Sequence, residues 1–292
     1  MNNLLKLLIA YEGSACSDAA LHDLRRAGLP PTAEAVVVSV AYVFLPPEGE
    51  AADEELAAPV AAALVRPARA QAERAVREAR AVAERGAQKV RADFPGWAVR
   101  AEADGDAPAW AVIKRAGDLG TDLVVVGSHG HSSAGGRLIL GSVSQRVLYE
   151  APCSVRVARC TDERRAGPVR LVVGFDGSPE AEAAVGAVAA RSWPGGSESR
   201  VITARHAAQA EARIAAAARL RDAGLSVSEV EREGDPAHAL LREAEEWGAD
   251  SIFVGTRGVH GLRHLLGGSV SSAVAASAQC SVEVVRRPQG AA

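Results

Sequence analysis

Leu171-Val172-Val173-Gly174-Phe175-Asp176-Gly177-Ser178 decides the fold, because the chain says it twice. Leu7-Leu8-Ile9-Ala10-Tyr11-Glu12-Gly13-Ser14 has the same pattern, and every difference keeps size or chemical character. Four further segments recur in the same order. Gly105-Asp106 matches Gly234-Asp235, each ahead of an amphipathic helical stretch. Asp122-Leu123-Val124-Val125-Val126-Gly127-Ser128-His129-Gly130 matches Asp250-Ser251-Ile252-Phe253-Val254-Gly255-Thr256-Arg257-Gly258. Gly141-Ser142-Val143-Ser144 matches Gly268-Ser269-Val270-Ser271, and Ala151-Pro152-Cys153-Ser154-Val155-Arg156-Val157 matches Ala278-Gln279-Cys280-Ser281-Val282-Glu283-Val284. An internal repeat of this length reads as two copies of one domain in tandem.

The expected domains are residues 1–159 and 168–288, joined by the polar stretch from Cys160 to Gly167-Pro168. The first copy is longer by an insert over residues 44–91. It opens with Pro46-Pro47-Glu48-Gly49 and continues as an Ala/Arg/Glu-rich helix expected over 68–91. Glu73, Arg74, Arg77, Glu78, Arg80, Glu84 and Arg85 mix both charges along it, the pattern of a solvated helix with i,i+4 pairs rather than a basic binding face.

Within each copy, short apolar runs alternate with helical stretches. Residues 4–10, 35–43, 98–103, 123–126 and 154–157 read as strands of the first copy, and 171–175, 200–204, 226–231, 251–254 and 281–285 as those of the second. Their continuous apolar character suits strands covered on both faces. The expected fold class is therefore α/β, with two doubly wound five-stranded parallel-sheet domains in tandem. Strand order 3-2-1-4-5 is the expectation for a doubly wound sheet, and ligands bind beyond the strand C-termini where that order reverses. The last strand of each copy would be a sheet edge, and pairing the two across the copies covers both.

The second copy carries Gly255-x-x-Gly258, nine residues, then Gly268-Ser269-Val270-Ser271. The glycines permit a sharp turn and close backbone approach. The Gly-Ser start of a helix offers unpaired N–H groups and the positive end of a dipole, which suits a phosphate. With Asp176 after the first strand, this spacing resembles the ATP-binding signature of universal stress proteins, and the resemblance spans nearly the whole chain.

That resemblance implies an adenine nucleotide α-hydrolase-like fold, bound ATP with Mg2+, and a role as a nucleotide-dependent regulator or sensor of stress. It places Asp176 beside adenine and ribose, Gly255 and Gly258 along ribose and phosphates, and Gly268, Ser269 and Val270 on the phosphates, to which the helix start itself adds the hydroxyls of Ser269 and Ser271 as hydrogen-bond donors. Ala204 in the second copy and Val40 in the first match the strand-two position that meets adenine, and Asp235 and Asp106 match an adenine-side loop. In the first copy the counterparts are Glu12, Gly127, Gly130, Gly141, Ser142, Val143 and Ser144. That copy departs twice: Glu12 adds a methylene to the carboxylate, and ten residues rather than nine separate Gly130 from Gly141. The second site is the one expected to be complete; the first binds with altered geometry or serves as scaffold.

Composition excludes several alternatives. A net charge of -3 gives no footprint for nucleic acid. No apolar run approaches the ~20 residues that span a bilayer. Cys16, Cys153, Cys160 and Cys280 are too sparse for a disulfide framework and lack CxxC spacing, so reduced thiols, a cytoplasmic setting and no metal site are expected. No lysine follows Lys114, and neither glycine loop ends in GK[ST], which argues against a Walker-type NTPase. His129 and His131, like His260 and His264, lack further ligands, and Ser128 lacks a hydrolase elbow. No catalytic residue is assigned. The alternatives left open are slow nucleotide hydrolysis and an empty-pocket interaction protein; further association of two chains into a homodimer is also open.

Overall fold

The computed structural model describes residues 4–43, 58–129, 140–159, 167–204, 210–256 and 270–287. The first copy supplies β1 (Leu5–Ala10), α1 (Ala15–Asp23), β2 (Ala33–Ala41), α2 (Ala58–Asp93), β3 (Ala98–Gly105), α3 (Pro108–Leu119), β4 (Leu123–Gly127), α4 (Ser142–Glu150) and β5 (Ser154–Ala158). The second supplies β6 (Arg170–Gly174), α5 (Pro179–Ala189), β7 (Glu198–Thr203), α6 (Ala210–Asp222), β8 (Ser226–Glu231), α7 (Pro236–Trp247), β9 (Ser251–Thr256), α8 (Val270–Ser277) and β10 (Ser281–Arg286).

The strands form one ten-stranded sheet in the order β3-β2-β1-β4-β5-β10-β9-β6-β7-β8. Each half has the expected 3-2-1-4-5 order, with all its pairs parallel. The halves meet where β5 pairs antiparallel with β10. The doubly wound reading is thus correct, and the end strands cover one another.

Alternation along the strands sorts side chains to the two faces. Leu7 and Ile9 pack beneath α1 and α2 with Leu24, Val37 and Val125, while Leu171 and Val173 pack with Val185, Leu220 and Phe253 in the second half. The opposite face is one apolar layer that runs unbroken through the joint and includes Leu8, Val124, Val155, Val157, Val172, Ile252, Val282 and Val284. Val155, Val157, Val282 and Val284, which meet at the joint, are at most 2% exposed. Each contributes about 1.5–3 kcal/mol by burial, so cohesion of the joint rests on this face.

Several element bounds differ from expectation, β7 among them, which runs Glu198–Thr203 rather than 200–204. β2 begins at Ala33, directly after Pro30-Pro31 and Thr32, and ends at Ala41 rather than running on to Val43. α2 starts ten residues before the expected 68 and contains Pro67, a residue that removes one helical hydrogen bond. The alanine-rich sequence on either side carries the helix through it.

Candidate functional site

The order of strands reverses between β1 and β4 in the first half and between β6 and β9 in the second. At each of these points the crevice beyond the strand C-termini is built from the same parts. Beyond the first strand come an acidic residue, a glycine and a serine, and the serine N-caps the next helix. Ser178 Oγ accepts a hydrogen bond from Ala181 N at 3.2 Å, and Ser14 Oγ accepts from Ser17 N at 3.1 Å. The glycine between carboxylate and cap has φ of +74° at Gly177 and +80° at Gly13, a conformation that side chains with a Cβ rarely adopt.

One methylene changes what the carboxylate does. Asp176 Oδ1 accepts from Ser178 N at 3.0 Å, closing an Asx turn that holds the carboxylate at the strand tip while leaving it exposed. Glu12 reaches past that amide, and Ser14 Oγ donates to its Oε1 at 2.8 Å. The two loops therefore present their negative charge differently, although their backbones follow one course.

β4 and β9 bring a glycine against the neighbouring helix. A Cβ on Gly127 would lie 3.2 Å from the Cys16 carbonyl oxygen, in the first turn of α1. Gly255 approaches the first turn of α5 more closely still. Val40 and Ala204 are equivalent, as the sequence implies: each lies two residues beyond the strand carbonyl, Val38 or Ile202, that accepts the N–H of Tyr11 or Phe175 at 2.9 Å. Both are partly exposed at their strand ends.

α4 begins at Ser142 with Gly141 as its N-cap, which offers no side chain to the first N–H groups. Those groups have no intrahelical partner, so the helix start is open to an anion. Ser142 is exposed and Val143 is half-buried, but Ser144 is buried and donates its hydroxyl to Gly127 O at 2.6 Å. Its role is to tie the helix to the tip of β4. In the second half, α8 starts at the exposed Val270, and Ser271 is buried. Gly130, Gly258, Gly268 and Ser269 lie outside the described residues.

The adenine-side loops are not equivalent. Asp235 N-caps α7, its Oδ1 accepting from His238 N at 2.9 Å. In the first half the N-cap of α3 is Ala107, without a side-chain bond, and Asp106 stands one residue earlier with its Oδ1 on Ala107 N at 2.6 Å. Counting back from the left-handed Gly120 and Gly248 that end the two helices sets Ala107, not Asp106, opposite Asp235.

The first half also has a cluster that sequence reading passed over. Tyr11 Oη donates to Asp18 Oδ1 at 2.7 Å, and Lys89 Nζ of α2 donates to Asp18 Oδ1 at 2.5 Å and to Tyr11 Oη at 3.3 Å. Partial burial raises the Asp18 carboxyl, but the bonds from Lys89 and Tyr11 outweigh it and hold the group below its ordinary value. Phe175 and Glu182 occupy the corresponding places of the second half. α2 thereby lies over the Glu12–Gly13 turn, with Val82 3.4 Å and Arg85 Nη2 4.0 Å from a Cβ built on Gly13. That Lys89 is one of three lysines in the chain was the available signal.

Among the described residues no cluster of three or more His, Cys, Asp or Glu could hold a metal ion, and no helix is long and apolar enough to cross a membrane. Cys153 and Cys280 are free, as expected, but Cys16 is disulfide-bonded, which corrects the expectation of reduced thiols at that position.

The sequence model of the universal stress protein family matches residues 4–159 and 187–286. Universal stress protein YxiE of Bacillus subtilis is 40% identical over 63 residues, 22% of this chain and 43% of that protein. Universal stress protein Mb2028c of Mycobacterium bovis is 32% identical over 189 residues, 57% of this chain and 62% of that protein. The alignments thus span less than two thirds of these relatives' own length. A crystal structure of a universal stress protein from Archaeoglobus fulgidus superposes with a TM-score of 0.68 over 97% of this chain and 98% of that one, at 21% identity. It shares the fold.

Proposed function

Since this chain belongs to the universal stress protein family, we propose that its second half binds an adenine nucleotide, ATP in the first instance, and that occupancy regulates how the protein engages the stress response. The observation that carries the reading is the crevice between β6 and β9. There an exposed carboxylate, Asp176, is held in place by its own turn beyond the end of β6, while Gly255 near the end of β9 lies against the first turn of α5. Asp176 is suited to the hydroxyls of a ribose, which are neutral donors. Phosphates are suited to the start of α8 at Val270 and the backbone of Gly255, with Gly258, Gly268 and Ser269 completing the set by family resemblance. Ala204 would meet the base, while the engaged carboxylate of Asp235 would shape its loop as a helix cap rather than contact it.

Mg2+, if bound with the nucleotide, would be coordinated mainly by phosphate and water, since the described residues supply no ligand cluster. It would neutralise phosphate charge. Each half, residues 1–159 and 168–288, is one unit of the nucleotide fold, and the second is the principal site. In the first, Glu12, Val40, Asp106, Gly127, Gly130, Gly141, Ser142, Val143 and Ser144 form the counterpart, with a differently held carboxylate and α2 overlying the turn.

Thermal unfolding with and without ATP and Mg2+ tests this. Ligand binding to the native state raises the midpoint. The shift should shrink in Asp176→Ala, and its absence in the wild type at millimolar nucleotide would leave the interaction-protein reading.

A further inference from the structure

Along the joint between halves, Arg156 faces Glu283, flanked by Val157 opposite Val282 and Val155 opposite Val284. The repeat sets Ser154-Val155-Arg156-Val157 on Ser281-Val282-Glu283-Val284, so Arg156 and Glu283 occupy the same position of the two copies. The pseudo-twofold axis passes between them.

Away from the axis, identical residues make reciprocal bonds. Ser281 Oγ accepts from Arg159 N at 3.2 Å, and Ser154 Oγ accepts from Arg286 N at 3.1 Å. Arg159 Nη2 donates to Ala275 O and Ala276 O at the end of α8, at 2.6 and 2.9 Å. Arg286 Nη2 does the same to Leu148 O and Tyr149 O at the end of α4, at 2.7 and 3.1 Å. Each half thus caps a helix of the other.

At the axis the sequence is no longer symmetric. Arg156 is fully buried and donates to Asp23 at 2.5 and 3.0 Å, to Ser251 Oγ at 2.9 Å and to Glu283 Oε2 at 3.4 Å. Glu283, 1% exposed, is also paired with Arg191, which donates to Ala27 O at 2.8 Å. Ser281 Oγ donates to Asp23 Oδ1 at 2.7 Å. The supporting residues are themselves unlike in the two copies: Ala187 stands for Asp23, Ala27 for Arg191 and Leu123 for Ser251.

We infer that the Arg156–Glu283 pair is a recognition element that makes β5 accept the end strand of the unlike half and reject a second copy of itself. Association of like halves would set Arg156 against Arg156 and Glu283 against Glu283 in a closed space, where like charges are strongly disfavoured. The valines beside the pair are the same in both copies and carry no such information. Discrimination therefore comes from the penalty on the wrong pairing, and it disfavours assembly of two chains through like halves, β5 with β5 and β10 with β10.

The test is co-operative refolding of the full chain over about a hundredfold range of concentration, with mass read by light scattering. In Arg156→Gln/Glu283→Gln, like and unlike pairings become equivalent at the axis. This variant should gain a concentration-dependent species of twice the wild-type mass, while the wild type gains none. Arg156→Met/Glu283→Leu fills the same space without polar groups and should behave likewise if the glutamine pair folds poorly. Refolding of either variant to the wild-type mass distribution at every concentration would overturn the inference. Failure of both to regain structure would overturn it too, because the pair would then be needed for folding rather than for choice of partner.

Discussion

A Cβ built on Gly255 would stand against the carbonyl oxygen of Glu180, inside any real contact distance. Gly255 lies near the tip of β9 and Glu180 in the first turn of α5, so the bare glycine is what lets the strand run beneath the helix start. The same glycine belongs to the proposed nucleotide crevice. Gly255→Ala should therefore lower stability by about 1–3 kcal/mol and weaken nucleotide binding together. Gly127→Ala, where the clearance is 3.2 Å, should cost less. Urea denaturation of the two variants compares them, and an equal cost would show that the approach at Gly255 relaxes freely.

The unequal helix caps give a second expectation. Asp235→Ala removes the bond to His238 N and should cost about 1 kcal/mol. Ala107 already has the extended backbone of an N-cap, with φ -64° and ψ 119°, but no side-chain oxygen. Ala107→Asp should then stabilise the first half by about 0.5–1 kcal/mol. Chemical denaturation of both variants reads the two signs, and a loss in Ala107→Asp would mean that Asp106 already serves that end of α3.

Cys153 and Cys280 occupy one position of the two copies, and burial pushes both thiols up to about 12. In the unfolded chain they ionise near ~8.5. Between those values the unfolded state has released protons that the folded state retains. Their contribution is complete below about 8.5 and is lost as pH rises toward 12, by about 1.4 kcal/mol per pH unit for each thiol. Stability measured by urea from neutral to alkaline pH should fall with a slope that Cys153→Ala/Cys280→Ala flattens. An unchanged slope would contradict it.

Much of this architecture is legible in the sequence because duplication supplies an internal comparison. Two acidic-Gly-Ser turns follow equivalent strands, and the end strands, which needed cover, find it in each other. What escaped reading depends on contacts between distant segments. Nothing local distinguishes Asp106 from a cap until the lengths of α3 and α7 are fixed. Cys16 looks like any small helical residue until it is joined to a second cysteine. The reversal from Arg156 to Glu283 is plain in the repeat, but its meaning appears only when antiparallel pairing brings the two face to face. At the site, the carboxylate difference between Asp176 and Glu12 was legible, whereas its consequence, a bond to an amide in one and to a hydroxyl in the other, required the turn geometry.

Calorimetric titration of the full chain with ATP and Mg2+, in wild type, Asp176→Ala and Glu12→Ala, tests the central claim most directly. Binding should weaken about ten- to a hundredfold in Asp176→Ala, the worth of a charge-assisted hydrogen bond, and persist at the second half's affinity in Glu12→Ala. No heat in the wild type, or loss of binding in Glu12→Ala with Asp176→Ala unaffected, would contradict it.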